Sequence, residues 1–247
     1  MKIGEFEITN RVGLGTNRLT NAPANVELIR EAVAAGVQMI DTAHVYAGGQ
    51  SEETIGTALH PLPDTCIVAT KGRGRPEVLR AEIEESLRRL RTDVIQLYYL
   101  HRVDPETPIE TSLGVIKEHV DRGRIRHVGV SEVGVEQIER ARRVLPIVAV
   151  QNHYNLSERK HDDVIDYCER EGIVFVPFFP LRGERSPAMA RLGRRHRATS
   201  RQVMLAWLLK RSPVVLPIPG TLSLEHLKEN LEAGRIDLDE EEFASLR

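Results

Sequence analysis

The sequence has few cysteines, few aromatic residues and no long hydrophobic run. Only two cysteines, Cys66 and Cys168, occur among its 247 residues; two are too few for a disulfide framework, and these are not spaced as metal ligands. No stretch approaches the roughly 18 consecutive apolar residues of a membrane span, and the N-terminal segment lacks the apolar core of a signal peptide. We therefore expect a cytoplasmic protein with no metal site and no membrane association.

The chain also lacks an excess of charge of either sign. Its 34 Lys and Arg residues nearly balance 36 Asp and Glu residues, which leaves a net charge of −2. A chain of this kind has no overall positive field that would attract nucleic acid. The one basic run, RLGRRHRATSR at 191–201, is interpreted as a solvated face at a helix start. We expect a small-molecule partner and, since no large apolar patch is evident, a monomer.

Short apolar runs rich in β-branched residues alternate with longer amphipathic stretches along the whole chain, as in repeated βαβ units. The length is close to the roughly 250 residues of a typical (β/α)₈ barrel. Residues 2–9 are predicted to form a short β-hairpin. The predicted parallel strands cover residues 12–15, 39–41, 66–70, 94–100, 127–131, 147–151, 173–177 and 214–217.

Eight parallel strands with right-handed crossovers favour a closed (β/α)₈ barrel, an α/β fold, although an open doubly wound sheet fits the same pattern. No linker, internal repeat or low-complexity stretch divides the chain. The predicted organisation is therefore a single domain over residues 1–247.

Ionisable side chains occur where three consecutive predicted strands end. Asp41 ends the second strand and Tyr46 lies in the loop after it, while Lys71 ends the third strand and His101 ends the fourth. In a (β/α)₈ barrel the chemistry takes place at the carboxyl ends of the strands. Each residue alone has a structural interpretation, such as a turn cap or a solvated strand end, but their joint occurrence favours a catalytic site.

These four residue types suit the reduction of a carbonyl group. A free phenol has a pKa of about 10, and an ammonium group such as that of Lys71 lowers it, while Asp41 stabilises the charged lysine. A neutral imidazole, as expected for His101, donates a hydrogen bond to a carbonyl oxygen. No side chain supplies hydride, so a nicotinamide cofactor is implied. A non-redox lyase or isomerase that uses Tyr46 and Lys71 for acid–base chemistry is an alternative.

Several segments spread through the chain carry a family resemblance: IDTAHVY, VATKG, LYYLH, GRIRHVGVSE, VQNHYN and PIPGTLSLEHLKEN. Through them the sequence resembles the aldo-keto reductases over nearly its whole length. The resemblance implies that Asp41, Tyr46, Lys71 and His101 are the catalytic residues, with Tyr46 as general acid. It also implies reduction of aldehydes, with ketones as further candidates, by NADP(H), with NAD(H) as the other option. A cofactor-binding regulatory or sensor barrel with little turnover is the alternative within this resemblance.

The resemblance implies an extended cofactor across the barrel mouth, without a Rossmann domain. Ser131 and Gln151 would bind the nicotinamide carboxamide, and Phe178 would stack on the ring. The last matching segment would hold the adenosine end. In full, the implied cofactor-binding residues are Gly15, Thr16, Asp41, Ser131, Gln151, Phe178, Pro219, Gly220, Thr221, Ser223, His226, Glu229 and Asn230.

The sequence departs from the family pattern at three cofactor positions. Gly220 and His226 stand where a lysine and an arginine can bind the 2′-phosphate of NADP(H) in other members. Glu132 replaces an asparagine that often contacts the carboxamide. The chain also ends directly after its last predicted helix, whereas many members carry a loop there that closes the substrate pocket. We therefore expect an open, permissive pocket.

Overall fold

Seven parallel strands form a curved sheet in the computed structural model, which describes residues 1–183 and 186–246. The strands lie side by side in chain order, from β3 to β9. An antiparallel hairpin, β1 and β2, precedes them, as the sequence predicted. The strands are β1 Lys2–Ile3, β2 Phe6–Glu7, β3 Leu14–Gly15, β4 Met39–Asp41, β5 Ile67–Gly72, β6 Ile95–Leu100, β7 Ile125–Ser131, β8 Ala149–His153 and β9 Val174–Phe178.

Within the described residues, one α-helix follows each strand from β3 to β8, and four α-helices follow β9. Proline at the first turn opens three of them, which is the position where its missing N–H costs nothing. Gly172 ends α6 with a φ of 67°. The helices are α1 Pro23–Ala34, α2 Gln50–Leu59, α3 Pro76–Leu90, α4 Ile109–Asp121, α5 Val135–Arg142, α6 Asp162–Glu171, α7 Pro187–His196, α8 Ser200–Arg211, α9 Leu224–Glu232 and α10 Glu240–Ala244.

The predicted eighth strand, 214–217, is not a regular strand. Residues 214–220 instead make two isolated parallel bridges. Val215 pairs with Phe175 of β9, and Gly220 pairs with Gly15 of β3, so that this segment connects β9 to β3. Pro217 and Pro219 have no N–H to donate, which limits the ladder to a few bonds. The prediction of eight regular strands is wrong in this detail, but the (β/α)₈ fold is confirmed. We call the junction between β3 and residues 214–220 the seam.

Successive side chains of β6 point alternately into two apolar layers, one inside the barrel and one between the barrel and the helices. Leu97 and Tyr99 belong to the cluster inside the barrel, whereas Tyr98 and Leu100 pack with the helices outside. Ile3 of the hairpin is buried in the same inner cluster. The hairpin therefore covers the end of the barrel opposite the carboxyl ends of the strands, and those carboxyl ends are left to form the site.

Both cysteine thiols lie in surroundings that disfavour the reactive thiolate form. Cys66 and Cys168 are free and buried, and burial raises the pKa of each thiol to about 12. Among the residues that the structure describes, no group of three or more His, Cys, Asp or Glu side chains is placed to hold a metal ion. Within the same residues, no helix is both long and apolar enough to cross a membrane.

We expect Gly15→Ala to destabilise the protein by about 1–3 kcal/mol, the usual cost of overpacking. A Cβ atom at Gly15 would lie 2.7 Å from the carbonyl oxygen of Ile218, in the seam, where backbone has little room to move. Urea denaturation measures the change in the free energy of unfolding.

Gly114→Ala is the matched control, because a Cβ atom at Gly114 in α4 meets nothing within 4 Å. Replacing a helical glycine by alanine should stabilise the protein by roughly 0.5–1 kcal/mol. If both variants are equally stable, close approach at the seam is not a constraint on the fold.

Candidate active site

Three neighbouring strands and one loop bring the four predicted catalytic residues together. Asp41 ends β4, Lys71 lies near the end of β5, and His101 follows β6, while Tyr46 lies between β4 and α2. A cavity of about 250 Å³ opens at this end of the barrel. We call it the mouth cavity; Asp41, Tyr46 and His101 are among its lining residues.

Lys71 and Asp41 form a buried ion pair behind the mouth cavity. The Nζ atom of Lys71 lies 2.6 Å from Asp41 Oδ1, and it also donates to the carbonyl oxygen of Thr42 at 2.6 Å. The amide Nε2 of Gln151 donates to the other carboxylate oxygen of Asp41 at 2.7 Å. Both oxygens of this carboxylate are therefore hydrogen-bonded, which fixes its orientation toward the lysine.

The Tyr46 hydroxyl is the third member of this chain of contacts. Lys71 Nζ lies 3.4 Å from Tyr46 Oη and 4.9 Å from the centroid of its ring. Burial raises the pKa of the Tyr46 phenol above its ordinary value, and the Lys71 charge acts in the opposite direction. The lysine thus acts in the expected direction, but burial outweighs it. Burial likewise raises the pKa of Asp41, against the effects of Lys71 and Gln151.

His101 is a neutral hydrogen-bonding group at this site. Its ring lies nearly perpendicular to that of Tyr46, at 82°, with 6.1 Å between the centroids. Burial and the positive charge of Lys71 lower the pKa of the imidazole to about 3. The ring is therefore uncharged at neutral pH, as expected, and carries one N–H that can donate to an oxygen.

A buried polar network outside the barrel holds the loop that carries Tyr46. Arg89 of α3 donates to the carbonyl oxygen of His44 at 3.0 Å and lies 3.4 Å from a Glu52 carboxylate oxygen. Glu52 is fully buried and accepts a hydrogen bond from Thr70 at 2.5 Å. At Gly49, φ is 99° and a Cβ atom would collide with the Arg89 guanidinium. The sequence analysis missed this network, because its members come from separate helices and strands.

Six of the predicted cofactor residues besides Asp41 line the mouth cavity: Gly15, Thr16, Ser131, Gln151, Phe178 and Gly220. The Thr16 hydroxyl donates to the Asp41 carbonyl oxygen at 2.8 Å. The Phe178 ring stacks on His153, with 5.3 Å between the centroids and 13° between the planes. Pro219 instead lies in the seam, where its carbonyl oxygen accepts from Gly15 N at 3.2 Å.

Glu132, which replaces a family asparagine, has both carboxylate oxygens engaged. One accepts from the His153 backbone N at 2.5 Å, and the other lies 3.0 Å from Nη1 of Arg102. The backbone of Glu132 is left-handed, with a φ of 55°, a conformation uncommon outside glycine. Its side chain thus supports a neighbouring arginine that lines the mouth cavity.

A second cavity, of about 560 Å³, begins at Gly220 and reaches the first turn of α9. We call it the distal cavity. Ser223 caps α9, since its hydroxyl accepts from His226 N at 3.3 Å. Four predicted adenosine contacts besides Gly220 line this cavity: Thr221, Ser223, His226 and Asn230.

Glu229 is not among the residues that line the distal cavity. Its carboxylate accepts from the Thr199 hydroxyl at 2.5 Å, and its carbonyl oxygen accepts from Gln202 at 2.9 Å. Glu229 therefore joins α9 to the first turn of α8. A contact with adenine stays a prediction for this residue.

Two arginines that the sequence analysis did not assign also line the distal cavity. Arg18 follows β3, and Arg201 lies in the first turn of α8. Arg201 ends the basic run at 191–201 and is half-buried, so this residue of the run lies beside a cavity. The run also spans the end of α7 and the start of α8, not one helix start. No local motif marks Arg201, because the cavity forms only in three dimensions.

Comparisons with known proteins give matches over nearly the whole chain. A family model described as the aldo/keto reductase family matches residues 11–247. Pyridoxine 4-dehydrogenase of Escherichia coli is 36% identical over 96% of this chain and 93% of that enzyme. A crystal structure of the thermostable aldo-keto reductase Tm1743 with the inhibitor epalrestat superposes with a TM-score of 0.92, at 34% identity, over 100% of this chain and 97% of that one.

A second crystal structure is that of an aldo/keto reductase from Klebsiella pneumoniae in complex with NADP and acetate. It has a TM-score of 0.87 and 28% identity to this chain, and the match covers 96% of this chain and 89% of that one. The likenesses extend over nearly the whole chain and include a structure that holds a nicotinamide cofactor.

We expect Arg89→Met to destabilise the protein by roughly 3–5 kcal/mol, because it leaves the buried Glu52 carboxylate without its cation. Thermal or urea unfolding measures this change. Arg88→Met is the matched control on the same helix, because the Arg88 side chain is 69% exposed and pairs with Glu85 at the surface. It should change stability by less than about 0.5 kcal/mol. Similar losses in both variants would contradict an anchoring role for Arg89.

Proposed function

Because the chain belongs to the aldo/keto reductase family, we propose that it reduces aldehydes to alcohols with NADP(H), with Tyr46 as the general acid. The observation that carries this proposal is the chain of contacts from Asp41 through Lys71 to Tyr46, beside the neutral imidazole of His101. These groups offer a proton, a cation and a hydrogen-bond donor around one cavity. Reduction of a carbonyl group needs a proton for its oxygen, and a cation and a hydrogen-bond donor stabilise the negative charge that develops there.

Each residue has a defined task in this reaction. The His101 N–H donates to the carbonyl oxygen of the substrate and orients it. A bound nicotinamide would supply hydride to the carbonyl carbon. Tyr46 gives its proton to the carbonyl oxygen as negative charge develops there. Lys71 stabilises the phenolate that remains, because its ammonium group lies 3.4 Å from the hydroxyl oxygen. The raised pKa of Tyr46 keeps the phenol protonated, ready to donate, until negative charge develops.

The residues present fit a nicotinamide cofactor. The mouth cavity offers an aromatic ring, Phe178, together with the polar side chains of Ser131 and Gln151. The distal cavity offers the first turn of α9 and two arginines, a donor set that suits phosphate groups. Gly220 lines both cavities, so an extended molecule can run from one to the other.

Arg18 and Arg201 favour NADP(H) over NAD(H). The sequence lacks the lysine and the arginine that can bind the 2′-phosphate elsewhere in the family, at Gly220 and His226. Arg18 and Arg201 bring two cations to the same cavity from β3 and α8. Arginine is well suited to this task because its planar group donates two parallel hydrogen bonds to a phosphate.

Titration with the reduced cofactors tests this preference. NADPH should bind about tenfold to a hundredfold more tightly than NADH, because charge-assisted hydrogen bonds to its 2′-phosphate add that much affinity. Arg201→Ala should weaken NADPH binding by about tenfold and leave NADH binding unchanged. Arg194→Ala is the control from the same basic run, since Arg194 is exposed and does not line the cavity. Equal affinity for both cofactors would contradict the assignment.

Tyr46→Phe should keep the affinity for NADPH and lower the turnover of aldehydes by roughly 10²–10⁴-fold, the usual worth of general acid catalysis. Single-turnover oxidation of NADPH, followed by absorbance, measures the chemical step. Cofactor binding with no turnover in the unmodified protein would instead support a regulatory or sensor barrel. Full activity of the variant would remove Tyr46 from the mechanism, and failure to bind either cofactor would exclude both functions.

A further inference from the structure

A cation lies at the rim of the mouth cavity, and the reaction described above does not use it. Arg102 directly follows His101 and lines the same cavity as His101 and Tyr46. Its guanidinium carbon lies over the ring of Phe178, 5.7 Å from the centroid. The side chain is 54% exposed, so it can be reached from the entrance to the site.

Glu132 holds this guanidinium from one side. Its carboxylate is fixed by the backbone N of His153, and its other oxygen lies 3.0 Å from Nη1 of Arg102. A guanidinium group carries five N–H donors. The ion pair with Glu132 therefore orients Arg102, and a group with five donors can also serve a second acceptor that enters the cavity.

The charges around the mouth cavity favour an anion. Asp41 balances Lys71, and Glu132 balances Arg102. Arg73, at the end of β5, adds a positive charge close enough to His101 to contribute to the low pKa of its imidazole. Among the described residues, Arg73 has no carboxylate partner within ion-pair distance. Arg73 thus adds a positive charge near the cavity that no described carboxylate pairs with.

We propose that the enzyme acts on carbonyl compounds that carry a carboxylate or phosphate group, and that Arg102 binds this anionic group while His101 and Tyr46 contact the carbonyl oxygen. This inference rests on the proposed reductase function and names its substrate class. Arg102 is a specificity-determining residue in this scheme, because it contacts the part of the substrate that does not react.

Two pairs of aldehydes test the proposal, each with an anion and its uncharged ester: 4-oxobutanoate with its methyl ester, and 4-formylphenyl phosphate with its dimethyl ester. For the unmodified enzyme with NADPH, kcat/KM should be about tenfold or more higher for the anion of at least one pair. The pair with the larger ratio identifies the preferred anion. The ratio should fall as salt is added, since screening weakens the attraction.

Arg102→Gln should lower kcat/KM for the preferred anion by about tenfold and change that for its ester by less than about threefold. Arg102→Lys should keep part of the preference, because it retains the charge without the planar fork. Arg75→Gln removes a cation that pairs with Asp104 and Glu106 away from the cavity, and it should leave the ratio unchanged.

The outcomes separate this inference from the function on which it rests. If both members of each pair are reduced with equal efficiency, the enzyme is a reductase but the charge preference is wrong. Equal losses for anion and ester in Arg102→Gln would also overturn the inference, since they indicate a structural role. If no aldehyde oxidises NADPH, the proposed function fails, and this inference fails with it.

Discussion

The buried ion pair between Lys71 and Asp41 is the interaction on which the site depends. Either charge alone at this depth would cost several kcal/mol, because water cannot solvate it. The pair forms only if β4 and β5 lie side by side in the register that brings the two residues to the same end of the barrel. Thr42 and Gln151 complete the hydrogen bonds of the two groups. The barrel framework thus determines the position of the Lys71 ammonium group beside Tyr46.

The sequence predicted the parts of the fold that local patterns determine. Alternation of apolar and amphipathic stretches identified the order of strands and helices, and the strand-end positions of Asp41, Lys71 and His101 predicted a shared site. The eighth strand was predicted wrongly, because the apolar character of 214–217 suggests a regular strand, whereas Pro217 and Pro219 interrupt its ladder. The local pattern of apolar residues indicates where a strand lies. The number of backbone N–H groups that can donate decides whether that strand forms a regular ladder.

Features made by residues far apart in the chain were not predictable in this way. The sequence indicated that Lys71 would lower the pKa of Tyr46, but only the structure shows that burial exceeds this effect. Arg18 and Arg201 are more than a hundred residues apart and meet at one cavity. Glu132 could be identified as a departure from a family pattern, yet its bonds to His153 and Arg102 depend on three adjacent strand ends.

The position of the seam between the two cavities links ligand binding to the stability of the barrel. Gly15 and Gly220 pair across it, and both line the mouth cavity, while Gly220 also lines the distal one. A ligand that occupies both cavities therefore contacts both edges of the junction, and it binds the closed barrel but not the unfolded chain. Its binding energy adds to the free energy of unfolding. Proteases cleave the open chain, so the lifetime of the protein against them would then follow the supply of that ligand.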